Sequence, residues 1–386
     1  MPLNDNTLDG HPQEAPLPKG VPSGTLSSMA RQTGSKLGRP PVQQAAVRDA
    51  LCQRIVRGEW QPGERLPPRL TLVRQLDTTN TTLQSALAEL MADGLVVSRG
   101  VHGTFVHEQS PHRFHYGVLL PESVDVVKQD TNRFWLALAR AARQPRDDGR
   151  SVAVYHGLHR QARSDSFDRL IAELGRHRLA GLLVVAPPAM FANTAVLSSS
   201  IPRVFISGGD VQPGDLDLGI DWNSFRSLAV ARLAARGVRR VALIGGAGSL
   251  AQRDEVARWM QAFAAAGIGS RPQWCVSSDL LFPAPLINHL RLVLDDAQPP
   301  DGLLVSDDNL LPTVLAALAS WKLRADRDIQ IVAHANFPLA DGEPAGIERI
   351  GFDARHLLDA AIAGIDARHQ GDRTLVHLPP VPAVSR

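Results

Sequence analysis

From His115 onward the chain alternates short apolar runs with stretches of helical periodicity, and this alternation restricts the fold more than any other feature. YGVLL precedes a helical pattern over Phe134 to Ala142, SVAVYH precedes Phe167 to His177, GLLVVAP precedes Ala189 to Leu197, and IPRVFISG closes the series. Ser224 to Ala235 opens a second series: VRRVALIGG, Glu255 to Ala266, PQWCVSS, Pro285 to Leu294, DGLLVS, Leu310 to Trp321, DIQIVAH and His356 to Ala367. Strand and helix in strict turn mean parallel β/α units joined by right-handed crossovers. Two such series predict two Rossmann-like lobes facing one cleft, and clefts at strand carboxyl ends are where small ligands bind.

The N-terminal part is built differently. Residues 1–38 are rich in Pro, Gly, Ser and Thr without apolar periodicity, and are expected to form a flexible tail. Val47, Leu51 and Ile55 then recur at helical spacing up to Gly58. After GEWQPGERLPP come two helical patterns, Leu70 to Leu76 and Thr81 to Met91, with Thr79 suited to cap the second. LVVSRGVHGTFV, with glycines at 100 and 103, signals a hairpin. Three helices and a hairpin make a winged helix-turn-helix. The expected organisation is a tail (1–38), a winged helix-turn-helix DNA-binding domain (39–107), a linker (108–114) and a two-lobed α/β domain (115–386).

Composition removes several function classes. Cys52 and Cys275 are the only two cysteines, too few for a disulfide framework or a multi-cysteine zinc site. No apolar window reaches membrane-spanning length, and the first thirty or so residues lack a secretory pattern, so a cytoplasmic protein with no membrane partner is expected. The net charge of +2 does not itself suggest nucleic acid, but from Arg31 to Arg74 there are nine basic residues against three acids. That excess suits phosphate contact.

The segment from Val42 to about His107 resembles the winged-helix domain of the GntR family of bacterial repressors. The resemblance is carried by the turn from Pro62 to Pro67, the Ala86, Leu87 and Leu90 face followed by Asp93-Gly94-Leu95, and the strand Gly103-Thr104-Phe105-Val106. It implies double-stranded DNA as partner, with the second helix of the pair against base edges and the wing along the adjacent groove. The family's usual arginines align with Leu70, Asn80 and Gln84 here. Asn and Gln pair bidentately with adenine, so Thr79, Asn80, Thr81, Thr82 and Gln84 are expected to read an A/T-containing site. Arg65, Arg69 and Arg74 are the expected phosphate contacts, with Arg99, His102 and Gly103 on the wing.

Residues from about 115 to 380 resemble the effector domain of the LacI/GalR repressors, itself similar to periplasmic sugar-binding proteins. Asn132-Arg133-Phe134-Trp135, Ile220-Asp221, Gly237 to Val241 and Ser306-Asp307-Asp308 carry the match. A GntR-type reader joined to a LacI-type sensor is the arrangement of the arabinose repressors. The resemblance implies a palindromic operator, a homodimer and control by a small polar effector such as a sugar. Phe134, Trp135, Trp222, Arg253, Asp308, Asn309 and His334 are the expected effector contacts. The family's effector-binding Arg aligns with Glu255, and its Gly-Phe-Asp-Asp turn reads Ala333-His334-Ala335-Asn336.

An enzymatic reading rests on VRRVALIGGAGSLA, where Gly246, Gly248 and Ala251 approximate a dinucleotide fingerprint. The acid expected about 20 residues on is missing from the next strand. No cofactor, metal site or catalytic residue is therefore expected. The alternative is a cytosolic small-molecule-binding or NAD-dependent protein whose winged helix serves protein contact.

Overall fold

The computed structural model describes residues 41–122, 132–157, 164–206, 211–246, 250, 253–278, 283–325, 327–339 and 347–385. The expected tail at 1–38 lies outside them. Helix α1 (Pro41–Val56) ends where Gly58 takes the left-handed conformation, φ +78°. Helices α2 (Arg69–Gln75) and α3 (Asn80–Ala92) follow, then the hairpin β1 (Val96–Ser98) and β2 (Thr104–Val106), closed by a short 3₁₀ turn at Gly100–His102. Leu51, Ile55, Trp60, Leu72, Leu83, Leu87, Leu90 and Val106 form one core under all five elements. The unit therefore has its own apolar interior.

The segment joining it to the rest is more ordered than its polar composition suggests. Pro111 starts a one-turn helix, α4 (Pro111–Phe114), with Ser110 and His112 buried and their side chains 2.8 Å apart. Pro fits that first helical position because its missing N–H would have no intrahelical partner.

The first lobe is a six-stranded parallel sheet of β3 (His115–Leu120), β4 (Ser151–His156), β5 (Gly181–Val184), β6 (Arg203–Phe205), β7 (Leu216–Ile220) and β13 (His377–Val381), in the order β13-β7-β6-β5-β3-β4. Helices α5 (Arg133–Arg143) and α6 (Asp165–Gly175) cover it. The helix expected over Ala189 to Leu197 is broken into a 3₁₀ turn, Pro188–Phe191, and the short α7 (Ala195–Ser198). Two prolines at 187 and 188 and a left-handed Asn193, φ +61°, interrupt the helical path.

The second lobe contains β8 (Val241–Gly246), β9 (Cys275–Ser278), β10 (Gly302–Val305), β11 (Gln330–Phe337), β12 (Glu348–Asp353) and β14 (Val384–Ser385), ordered β14-β12-β11-β10-β8-β9 with only β14 antiparallel. It is flanked by α8 (Trp222–Ala235), α9 (Arg253–Ala265), α10 (Pro283–Leu294) and α11 (Leu311–Ser320). The His356 to Ala367 pattern, expected in the second lobe, belongs to α12 (Ala354–His369) on the first. Its Leu357, Leu358, Ala361, Ile362 and Ile365 pack into the first lobe's core with β5 and β7 residues. The chain thus passes between lobes after Ile220, after Asp353 and after Val381, and these crossings bring the ends of both sheets to one cleft.

Candidate functional site

The winged-helix unit leaves most of the residues expected to contact DNA exposed. Burying Leu83, Ala86, Leu87 and Leu90 on one side of α3 leaves Asn80, Thr81 and Gln84 exposed on the other, because positions three and four apart share a helix face. Thr79 caps this helix: its hydroxyl accepts from the Thr82 N–H at 3.2 Å and lies 2.9 Å from the Thr82 hydroxyl. Arg69 and Arg74, on α2, are exposed.

Arg65 is placed by the fold against the wing. Its backbone bridges Phe105, and its guanidinium lies 2.9 Å from where a Cβ on Gly103 would be, while the positive φ of Gly103, +103°, is what favours glycine there. Arg99 pairs with Glu108 at 2.8 Å and covers the Phe105 ring. His102 is exposed at the wing tip beside Val101, which is 94% exposed and was not among the residues expected from sequence.

The unit rests on the first lobe through a charged contact. Arg48 of α1 is buried and donates to Asp93, at the end of α3, at 3.0 Å and to Asp49 at 2.7 Å. Arg176, just after α6, lies 3.7 Å from the same Asp93 carboxylate. Burial opposes the Arg48 charge, yet the two carboxylates outweigh it and hold its pKa above the ordinary arginine value.

Between the lobes lies a cavity of about 660 Å³ lined by residues that follow or end strands of both sheets. Phe134 enters from α5, and Trp222 from the first turn of α8, which Asp221 caps by accepting from the N–H groups of Asn223 and Ser224. Trp222 is 47% exposed, with Phe225 and Phe352 packed edge-on against it and the His334 ring tilted beneath at 5.7 Å. Phe225 also meets Trp259 edge-on. The result is a flat aromatic surface backed by a rigid cluster.

The polar groups gather at the end of β10. Asp308 is 4% exposed and accepts from the backbone N–H and the side-chain amide of Asn336 at 3.1 and 3.0 Å. Burial alone would raise its pKa, but His334, the Asn336 bond and the charge of Arg133 hold it below the usual carboxylate value. Asp307 accepts from Asn309, and the Asn309 side-chain oxygen accepts from the Arg133 N–H at 2.9 Å, a hydrogen bond from one lobe to the other.

Of the expected effector residues, Phe134, Trp222, Asp308, Asn309 and His334 line this cavity. Trp135 does not: it packs against the first lobe's core, since adjacent helix positions point about 100° apart. The Arg253 side chain falls outside the described residues, as do Gly248 and Ala251 of the dinucleotide pattern. Glu255 does line the cavity, held by Arg226 at 2.6 Å and Arg258 at 3.3 Å.

Sequence reasoning missed Arg226, Trp259 and Asn336. The signal was present as spacing: Arg226 follows Trp222 by four on one helix, Trp259 follows Glu255 by four, and Asn336 follows His334 by two along a strand. Among the described residues no group of three or more His, Cys, Asp or Glu is disposed to hold a metal, and no helix is long and apolar enough to cross a membrane.

Two family models match the sequence. Residues 43–106 match the bacterial regulatory proteins of the gntR family, and residues 230–380 match the periplasmic binding protein-like domain. The chain joins a GntR-type winged helix to a periplasmic-binding-protein-like domain. The GntR-type unit is 38% identical over 88 residues to the histidine utilization repressor of Pseudomonas putida, covering 23% of this chain and 34% of that protein. It is 34% identical over 65 residues to a probable fructoselysine utilization operon transcriptional repressor of Escherichia coli, covering 17% and 27%. The chain therefore spans about a third or less of these curated relatives' length.

Solved structures resemble the periplasmic-binding-protein-like part. A probable maltose operon transcriptional repressor from Staphylococcus aureus superposes with a TM-score of 0.51 at 12% identity, covering 71% of this chain and 96% of that one. A LacI transcriptional regulator from Bacillus cereus gives 0.50 at 17% identity, covering 70% and 96%. At these identities the likeness is one of fold.

Proposed function

We propose that this chain is a cytoplasmic, ligand-controlled transcription repressor. In this reading residues 39–107 bind double-stranded operator DNA, and the two-lobed domain over 115–386 binds a small polar effector, a sugar. The observation that carries it is the coexistence, in one chain, of an exposed Asn80, Thr81 and Gln84 face with an interlobe cavity of aromatic and carboxylate lining. The comparisons support it, because the relatives of the winged-helix unit include named repressors of utilization operons. Asn and Gln at the start of α3 suit adenine edges, while the exposed Arg65, Arg69 and Arg74 suit phosphate contact.

A homodimer is part of the proposal, since two such helices set one DNA turn apart fit a palindromic site. Effector control requires that the sugar bind two arrangements of the lobes unequally, and the Arg133 to Asn309 hydrogen bond is a contact that lobe opening would break. Genomic footprinting of the purified protein, with and without free monosaccharides, tests this. Protected palindromic sites that are released by one sugar are expected. No duplex binding even at low salt refutes it.

A further inference from the structure

We propose that Val101, at the tip of the wing, is a specificity-determining residue of the DNA interface and that it selects A·T over G·C pairs in the minor groove. The proposal rests on the DNA-binding reading of residues 39–107 and assigns what the wing does there. Val101 is 94% exposed, so none of the described residues covers it. Single apolar residues are common on protein surfaces, and exposure alone decides nothing. Here the place decides. The hairpin follows α3 directly, so with Asn80, Thr81 and Gln84 in the major groove its tip is the part that extends toward the groove beside it.

The tip is held in one shape. Val97 pairs with Phe105 and Ser98 with Thr104 below it. The Arg99 N–H donates to the Gly103 carbonyl at 2.8 Å, and the His102 and Gly103 N–H groups donate to the carbonyls of Arg99 and Gly100 at 3.1 and 3.2 Å. Gly100 and Gly103 take positive φ, +59° and +103°, which lets the chain reverse within so few residues. The turn thus spends its polar backbone groups on itself and holds out the Val101 isopropyl group, which is branched at Cβ and too short and stiff to fold back.

Charge around the tip suits the same partner. Arg99 is drawn back from it by Glu108 at 2.8 Å and by the Phe105 ring at 4.7 Å. Arg65 stands beside Gly103, exposed and, among the described residues, without an acidic partner. A free cation next to an apolar tip matches a narrow A/T-rich minor groove, whose negative potential is enhanced.

The discrimination follows from what the groove displays. Both kinds of base pair carry acceptors on its floor, so covering those costs about the same in each. Guanine adds a 2-amino donor, and valine has no atom that can accept from it. Val101 pressed onto a G·C pair therefore strips that amino group of water without replacing the bond, whereas an A·T pair leaves no donor stranded.

The test adds or removes that one amino group. Operator duplexes recovered by the footprinting are rebuilt with 2,6-diaminopurine in place of one adenine at a time, which puts guanine's amino group in the minor groove and leaves the major-groove edge unchanged. Fluorescence anisotropy reads their binding to the full chain as wild type, as Val101→Ala, which shortens the tip, and as Val101→Thr, which keeps its shape and adds a hydroxyl that accepts a hydrogen bond. In the wild type one position in each half-site, outside the bases that respond to Asn80 or Gln84, should weaken binding about tenfold or more on substitution, the scale of one stranded donor. That penalty should fall to about threefold or less in both variants. A change of groove width by the analogue would instead penalise all three proteins equally. Such an equal penalty, or no sensitive position in the wild type, overturns the assignment and leaves the DNA-binding reading standing. Absence of any duplex binding by the wild type overturns both.

Discussion

Replacing Asp93 with Ala removes the one carboxylate shared by Arg48 within the winged-helix unit and Arg176 on the first lobe. The Arg48 and Asp93 side chains are 10% and 7% exposed, so the pair is buried, and breaking such a pair costs about 3 to 5 kcal/mol. Arg48 keeps Asp49 at 2.7 Å, and that side chain is 56% exposed, which argues for the lower end, about 3 kcal/mol. Arg176→Ala leaves the buried pair intact and cuts only a 3.7 Å contact to a side chain that is 61% exposed, so about 0 to 1 kcal/mol is expected. Because Asp93→Ala already removes that contact, adding Arg176→Ala to it should change nothing further. Hydrogen exchange of α1 and α3 amides in the full chain measures this locally. Asp93→Ala should raise their opening about a hundredfold, and Arg176→Ala by no more than about fivefold. An Asp93→Ala effect below threefold would show that the pair does not hold α1 to α3.

Three further outcomes are expected. Asn80→Ala or Gln84→Ala should relax base preference at one position per half-site and cost about 1 to 3 kcal/mol, whereas Arg69→Ala or Arg74→Ala should weaken binding to all sequences and flatten its salt dependence, both read by fluorescence anisotropy across ionic strengths. Burial, reinforced by the nearby Arg113, His369 and His177, pushes His112 down to about 3. Below its unfolded value of about 6.5 the unfolded chain binds a proton the folded chain does not, so this stabilisation is complete above that pH and fades as pH falls toward 3. Between pH 7 and 5 the loss from His112 is about 2 kcal/mol, and urea titrations should show it reduced in His112→Asn. Gly351→Ala should cost about 3 kcal/mol or more and abolish effector binding in calorimetry, because a Cβ there runs into the Ala335 carbonyl oxygen on β11, the strand that carries His334 and Asn336.

The α/β alternation and the winged-helix pattern were legible because they are local: periods of two and 3.6 in apolar residues, with glycine and proline at the breaks, state which face must be buried whatever packs against it. Phe134, Trp222, Asp308, Asn309 and His334 were reached through the family resemblance instead: Phe134 and Trp222 lie in the first turn of a helix, Asp308 and Asn309 just after β10, and His334 within β11. Tertiary structure alone decided the rest. The α12 pattern reads the same on either lobe, and only the fit of Leu357, Ile362 and Ile365 beside β5 and β7 assigns it to the first. Arg65 precedes the helix pair in sequence but is carried to the wing by its bridge to Phe105. Arg226 meets Glu255 across 29 positions and Asn336 meets Asp308 across 28, so no local period connects them. Pairings at that separation arise from strand order and helix packing, which bring distant segments together through burial that no short window of sequence contains.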